Sequence, residues 1–270
     1  MNLKNALGWY GISRQAYYQA EQQAQRRAAE DQRILELVAE QRQKHPRMGV
    51  RKLHHKLAPA LAEADVTRGR DALFALLGRH GLLVKPQLSR RRTTRAGLWR
   101  CPNRLADMTL RRPHQAWVGD ITYIATEAGF VYLALLTDAY SRFIVGWDVS
   151  PSLAAEGCLR ALNQAMVHTA VPLVGLVHHS DHGIQYGSWD YLDRLRANQM
   201  LPSMGEVGNC YDNALAERMN GILKCEYGLD DLFVNLEHVQ LAVEQAVWLY
   251  NYDRPHLSLG FAYPATVHFT

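Results

Sequence analysis

From Ser13 to about position 44 the chain is polar and helix-forming, rich in Gln, Ala and Arg, with one apolar face from Ile34, Leu37 and Val38. Ser13 stands where an N-cap belongs, and the stretch lacks the leucine heptads of a coiled coil. Val50, Leu53 and Leu57 predict a short helix ending before Pro59. Leu73, Phe74, Leu76 and Leu77 predict another, with Gly81 as its C′ residue. Between 84 and 115 no period is visible. From Ala116 the pattern becomes that of strands, over 117–124, 130–136 and 143–147, with Glu127-Ala128-Gly129 as a turn. Three strands joined by short turns predict an antiparallel meander. Helices over about 154–169, 187–199, 213–227 and 236–252 and a strand over about 174–178 complete an α/β layered domain.

These changes of pattern divide the chain into an N-terminal helical segment (1–29), a small all-α domain (30–83), a linker (84–115) and the α/β domain (116–270). Charge sharpens the division. The formal net charge of +4 over 270 residues hides +14 on residues 1–115 and −10 on residues 116–270. A basic front half suits a polyanion. In the helical domain Arg47, Arg51, Lys52, Lys56, Arg68 and Arg70 are positioned to track a phosphate backbone. In the linker Arg90, Arg91, Arg92, Arg95 and Arg100 suit a DNA groove. The plain alternative is a solvated basic face. The acidic half cannot hold DNA by bulk charge, so a phosphate there calls for a bridging divalent cation.

Composition excludes other classes. Cys101, Cys158, Cys210 and Cys225 contain no Cys-x-x-Cys pair, so neither a disulfide framework nor a four-cysteine zinc site is signalled. No apolar run reaches 18 residues and the N-terminus lacks a signal-peptide pattern. A cytoplasmic protein without a membrane partner is the expectation.

Three acids stand out by placement. Asp120 lies inside the first strand, where a carboxylate is disfavoured unless it points to a site. Asp181 follows the fourth strand in His178-His179-Ser180-Asp181-His182-Gly183. Glu217 lies on a helix whose polar stripe comprises Asn213, Glu217, Asn220 and Lys224, with Asp212 available as a cap. Metal-assisted phosphoryl transfer needs carboxylate oxygens converging on hard cations, and two cations about 4 Å apart serve both the attacking and leaving oxygens. By residue type alone a lone strand Asp is more often a turn or edge residue, and a helix Glu more often solvated. His178, His179 and His182 lack the distal pair of a zinc site. Asp138 and Asp148 read as turn acids, Trp117, Tyr123 and Trp147 as core, and Tyr186 and Tyr211 as core before base-stacking.

Asp181 and Glu217 are separated by 35 residues, and Lys224 follows Glu217 by seven. With Trp117-x-x-Asp120-Ile-Thr-Tyr-Ile, His179-Ser180-Asp181-x-Gly183-x-Gln185-Tyr186, Tyr211-Asp212-Asn213-Ala214-x-x-Glu217, Leu223-Lys224-x-Glu226 and the tail Tyr250-Asn251-Tyr252-Asp253-Arg254-Pro255-His256, this resembles the DDE transposases and retroviral-type integrases. More narrowly, it resembles the second-frame (OrfB) product of the bacterial insertion-sequence-three family. His45-Pro46-x-Met48-Gly49-x-Arg51-Lys52-Leu53 is similar to that family's helix-turn-helix segment, and the resemblance covers nearly the whole chain.

The resemblance implies a ribonuclease-H-like integrase core, a mixed sheet with flanking helices, preceded by a helix-turn-helix-like DNA-binding domain. It implies that Asp120, Asp181 and Glu217 are catalytic and bind Mg²⁺ or Mn²⁺, two ions per site, with Lys224 against the DNA end. The implied reaction nicks the terminal inverted repeats and transfers the freed 3′-hydroxyl to target DNA. A dimer or larger assembly on DNA is implied, as is an upstream first-frame (OrfA) protein or fusion bearing the zipper that this chain does not show. The alternative reading is a non-catalytic DNA-binding regulator of transposition, and a general nuclease of the same fold is a rival enzyme.

Overall fold

The computed structural model describes residues 7, 9–85, 99–205 and 214–270. They divide into two compact units, Met1–Lys44 with Met48–Val84, and His45–Arg47 with Lys85–Thr270.

The first unit holds α1 (Arg14–Lys44), α2 (Val50–Glu63) and α3 (Arg70–Arg79). Ile34, Leu37 and Val38 of α1 pack against Leu53, Leu57 and Leu61 of α2 and Leu73, Leu76 and Leu77 of α3. Ser13 caps α1, its Oγ accepting from the Ala16 N–H at 3.1 Å. Gly81 takes φ +67° after α3, and the Leu82 N–H reaches back to the Leu77 carbonyl at 2.8 Å. That closes the helix in a Schellman turn. The expected stop before Pro59 does not occur: α2 runs through Pro59 to Glu63. Pro59 lies on the exposed side of α2. Burial of Leu57 and Leu61 on either side of it outweighs the local preference.

In the second unit, β1 (Ala116–Thr126), β2 (Gly129–Asp138) and β3 (Ile144–Ser150) form the expected antiparallel meander. The chain then runs through α4 (Ala155–His168), β4 (Val177–Ser180), α5 (Trp189–Ala197), β5 (Leu201–Met204), α6 (Ala214–Tyr227), α7 (Leu236–Tyr252) and α8 (Pro264–Phe269). Strand order is β3-β2-β1-β4-β5, with β4 parallel to β1 and β5 parallel to β4. This mixed sheet with helices on both faces is ribonuclease-H-like. Period-two alternation in β2 sends Ala134 and Leu136 to a core shared with α4 and α5, and Leu133 and Leu135 to one shared with α6 and α7. Gly146 lets β3 touch α4, because a Cβ there would overlap the Ala161 carbonyl and lie 2.9 Å from Ala165 Cβ.

Two features escape a reading of period. Strand β5 is Leu-Pro-Ser-Met, poor in β-branched residues, and its proline sits on an edge strand where a missing N–H is tolerated. Residues 99–115, which composition reads as linker, carry no helix or strand yet pack singly onto the sheet. Leu105, Met108 and Leu110 lie against Ala116, Val118, Val177 and Ala216, and the Arg104 N–H donates to Ser203 Oγ at 2.8 Å.

Candidate active site

Parallel pairing of β1 with β4 matches Gly119 with Ser180. One residue further, Asp120 continues β1 and Asp181 is the first residue beyond β4, so the two follow directly on the last paired positions. Gly119 makes room here: a Cβ would lie 3.1 Å from Leu136 and 3.3 Å from the Tyr186 ring. Beyond β4 the chain turns sharply, with Asp181 Oδ1 accepting the Gly183 N–H at 2.9 Å. A Cβ at Gly183 would stand 2.9 Å from that same oxygen, which is why this position of the His-Ser-Asp-x-Gly word suits glycine. Gln185 pins the loop by donating to the Leu153 carbonyl at 2.8 Å, and Tyr186 is buried beneath it.

Helix α6 crosses this point. Its buried face, Met219, Ile222 and Leu223, fixes the helix rotation and leaves Glu217 exposed. One turn after Glu217, Asn220 Nδ2 donates to Asp120 Oδ2 at 2.8 Å. Burial pushes the Asp120 carboxyl up to about 7; the Asp181 charge adds to this, the Asn220 and Ile121 hydrogen bonds oppose it, and the Glu217 charge raises it further. The three acids thus share one electrostatic site, with Asp181 acting on Asp120 more strongly than Glu217 does.

Such a site favours a cation, because a divalent ion offsets both the burial and the carboxylate repulsion that keep a proton on Asp120. Its donors are hard carboxylate oxygens, the set that Mg²⁺ and Mn²⁺ take. Among the described residues no group of three or more His, Cys, Asp or Glu is gathered closely enough to cage an ion unaided. A cation that keeps water and shares phosphate oxygens needs only one or two protein carboxylates.

Two of the neighbouring histidines are hydrogen-bonded within the core. His178 Nε2 and the Tyr191 hydroxyl are 2.8 Å apart, and His179 Nδ1 and Ser203 Oγ are 2.9 Å apart. Asp138 is wholly structural: Oδ1 accepts from the Tyr140 and Ser141 N–H groups and the Ser141 hydroxyl, and Oδ2 from the His114 N–H. Asp148 forms a two-pronged ion pair with Arg160, each contact 2.8 Å. Two of the sequence words prove to be folding devices. Glu226 pairs through both oxygens with buried Arg254 at 2.8 and 2.9 Å, and Asn251 bonds both backbone groups of Ile144 at the start of β3.

The basic residues separate into distinct groups. Arg51 and Arg100 are exposed, the latter donating to the Trp99 carbonyl. Lys52 is 5% exposed, which removes it from the surface where a phosphate contact was expected. Arg47 is paired with Asp230 and Asp231, Arg68 with Asp31 and Arg70 with Asp71, so the front half presents less free charge than its count suggests. Lys224 is partly exposed on α6. Arg90, Arg91, Arg92, Arg95, Tyr211, Asp212 and Asn213 lie outside the described residues. The residue that sequence reasoning passed over is Asn220, visible only as one member of a polar stripe.

Comparison with known proteins bears on the family of the chain. Profiles of the integrase core domain match residues 111–210 and 198–264. The transposase for insertion sequence element IS629 of Shigella sonnei is 37% identical over 266 residues, covering 94% of this chain and 87% of its own length. A Mycobacterium tuberculosis (strain CDC 1551 / Oshkosh) relative named for insertion sequence element IS986/IS6110 is 39% identical over 167 residues. That match covers 58% of this chain and 60% of the relative. Among solved structures, the HTLV-2 integrase catalytic core domain in complex with magnesium matches 58% of this chain and 97% of its own, at 18% identity and a TM-score of 0.46.

Proposed function

The chain belongs to the insertion-sequence-three family of DDE transposases, and on that premise we propose that it nicks the terminal inverted repeats of its element and joins the freed 3′-hydroxyl to target DNA. The observation that carries this reading is the Asp120 carboxyl, crowded by Asp181 and Glu217 and held by Asn220 at the mouth of the β1–β4 junction. Asp120, Asp181 and Glu217 hold the divalent cations, Mg²⁺ or Mn²⁺. When bound, these supply Lewis-acid neutralisation of the phosphate under attack and a lowered proton affinity at the attacking hydroxyl.

The chain's own part is positional. Asp120 is held within β1, Asp181 directly follows β4, and Glu217 is presented from the helix α6. Each transfer forms one P–O bond to the incoming hydroxyl oxygen and breaks one P–O bond, the departing oxygen taking up a proton. No covalent protein intermediate is required. Lys224, seven residues beyond Glu217, contacts the DNA end, while Arg51, Arg90, Arg91, Arg92, Arg95 and Arg100 grip backbone phosphates; a dimer or larger assembly holds both element ends. An upstream first-frame protein or fusion contributes end recognition, and the reaction takes place in the bacterial cytoplasm.

The test is incubation of the full chain, alone and with its upstream partner, with duplexes bearing the cognate repeats and Mg²⁺ or Mn²⁺. Nicks at the repeat ends followed by strand-transfer products are expected. No product in either setting, or equal cutting of DNA lacking the repeats, overturns the proposal.

A further inference from the structure

Asn220 lies one turn beyond Glu217 on α6 and is buried. Towards the ionised Asp120, the form that takes a cation, only the nitrogen half of the amide can donate, and it lies 2.8 Å away. The oxygen half is therefore turned away from that carboxylate. Among the described residues, Asn220 Oδ1 is a buried acceptor with no hydrogen-bond partner. An unpaired buried acceptor destabilises a fold, and an apolar side chain of the same shape would not incur that cost. The amide becomes favourable once a donor arrives beside Asp120.

We infer that Asn220 is a positioning residue for the divalent cation, its Nδ2 aiming the Asp120 carboxylate and its Oδ1 accepting a hydrogen bond from the cation's hydration water. The inference rests on the reading of Asp120 as a cation ligand. A hard cation keeps part of its water shell, and those waters are donors of the kind that Oδ1 lacks. Groups that orient a ligand in this way govern affinity: their loss weakens metal binding by about 10- to 100-fold.

The test titrates Mn²⁺ into the full-length chain and counts free ion by its paramagnetic resonance signal, alongside thermal unfolding without metal. Asn220→Leu keeps the branched shape with a somewhat larger volume and removes both polar atoms. It is expected to weaken Mn²⁺ binding by about 10- to 100-fold while the metal-free Tm moves by no more than about 2 °C, because the lost bond is offset by removal of the orphan acceptor. Asn220→Ser, too short to reach Asp120, carries the same expectation if the Leu variant does not fold. Wild-type Mn²⁺ affinity in a folded Asn220 variant overturns the inference, and a fall in Tm with unchanged affinity assigns Asn220 a packing role instead. Asp120→Asn is the reference. If it binds Mn²⁺ as wild type does, the reading of Asp120 as a ligand fails. If it loses Mn²⁺ while the Asn220 variants keep it, only the inference about Asn220 fails.

Discussion

With an ordinary value of 3.8 lifted to about 7 by burial and the Asp181 charge, the Asp120 carboxyl keeps a proton in the folded chain that the unfolded chain has already lost between those two values. The folded state then binds more protons than the unfolded one, so metal-free stability falls as pH rises from about 4 to 7 and levels off above. The fall is on the order of a few kcal/mol. Asp120→Asn removes the acid, so urea unfolding without metal should show a flatter profile and a variant more stable than wild type at pH 8. A wild-type pH profile in that variant would mean that another group carries the dependence. The sequence singles out Asp120 because a carboxylate inside a strand is unusual, and Asp181 and Glu217 because of the 35-residue gap between them. It does not single out Asn220, since a polar position beside Glu217 reads the same whether it faces water or a buried carboxylate. Only the approach of α6 to β1 separates the two.

At the scale of elements, the meander and the longer helices followed from period alone, whereas Pro59 misled. Local rules stop a helix at a proline, but burial of Leu57 and Leu61 carries α2 past it. Strand β5 and the packed segment 99–115 lack period because their apolar residues enter the core one at a time. Two element contacts are open to measurement. Gly146→Ala should cost about 1–3 kcal/mol in denaturant unfolding, because β3 must move away from α4 to admit the methyl. Arg254→Met strands Glu226 without its two-pronged partner and should cost about 3–5 kcal/mol, much of it recovered by adding Glu226→Gln. No recovery in the double variant would show that Arg254 acts through packing rather than through the pair.

For the whole molecule, a modest net charge conceals a basic front and an acidic back, and the division was plain from counting. The count did not show how much basic charge is already neutralised within the protein, as in the pairs Arg47–Asp230 and Arg68–Asp31, or that Lys52 is buried. Binding of duplex DNA should therefore weaken with salt, and Arg51→Gln should lower the slope of log K against log salt by about 1. Lys52→Met should leave that slope unchanged; if instead it matches Arg51→Gln, the exposed-cation account of the front unit is wrong.

The acidic back half fits DNA chemistry only if its carboxylates act together through a cation. Strand transfer by Asp120→Asn, Asp181→Asn and Glu217→Gln on inverted-repeat DNA with Mn²⁺, with DNA retention measured on the same samples, tests this most directly. All three variants should retain DNA and form no strand-transfer product; a folded variant of any one that forms wild-type product would contradict the account.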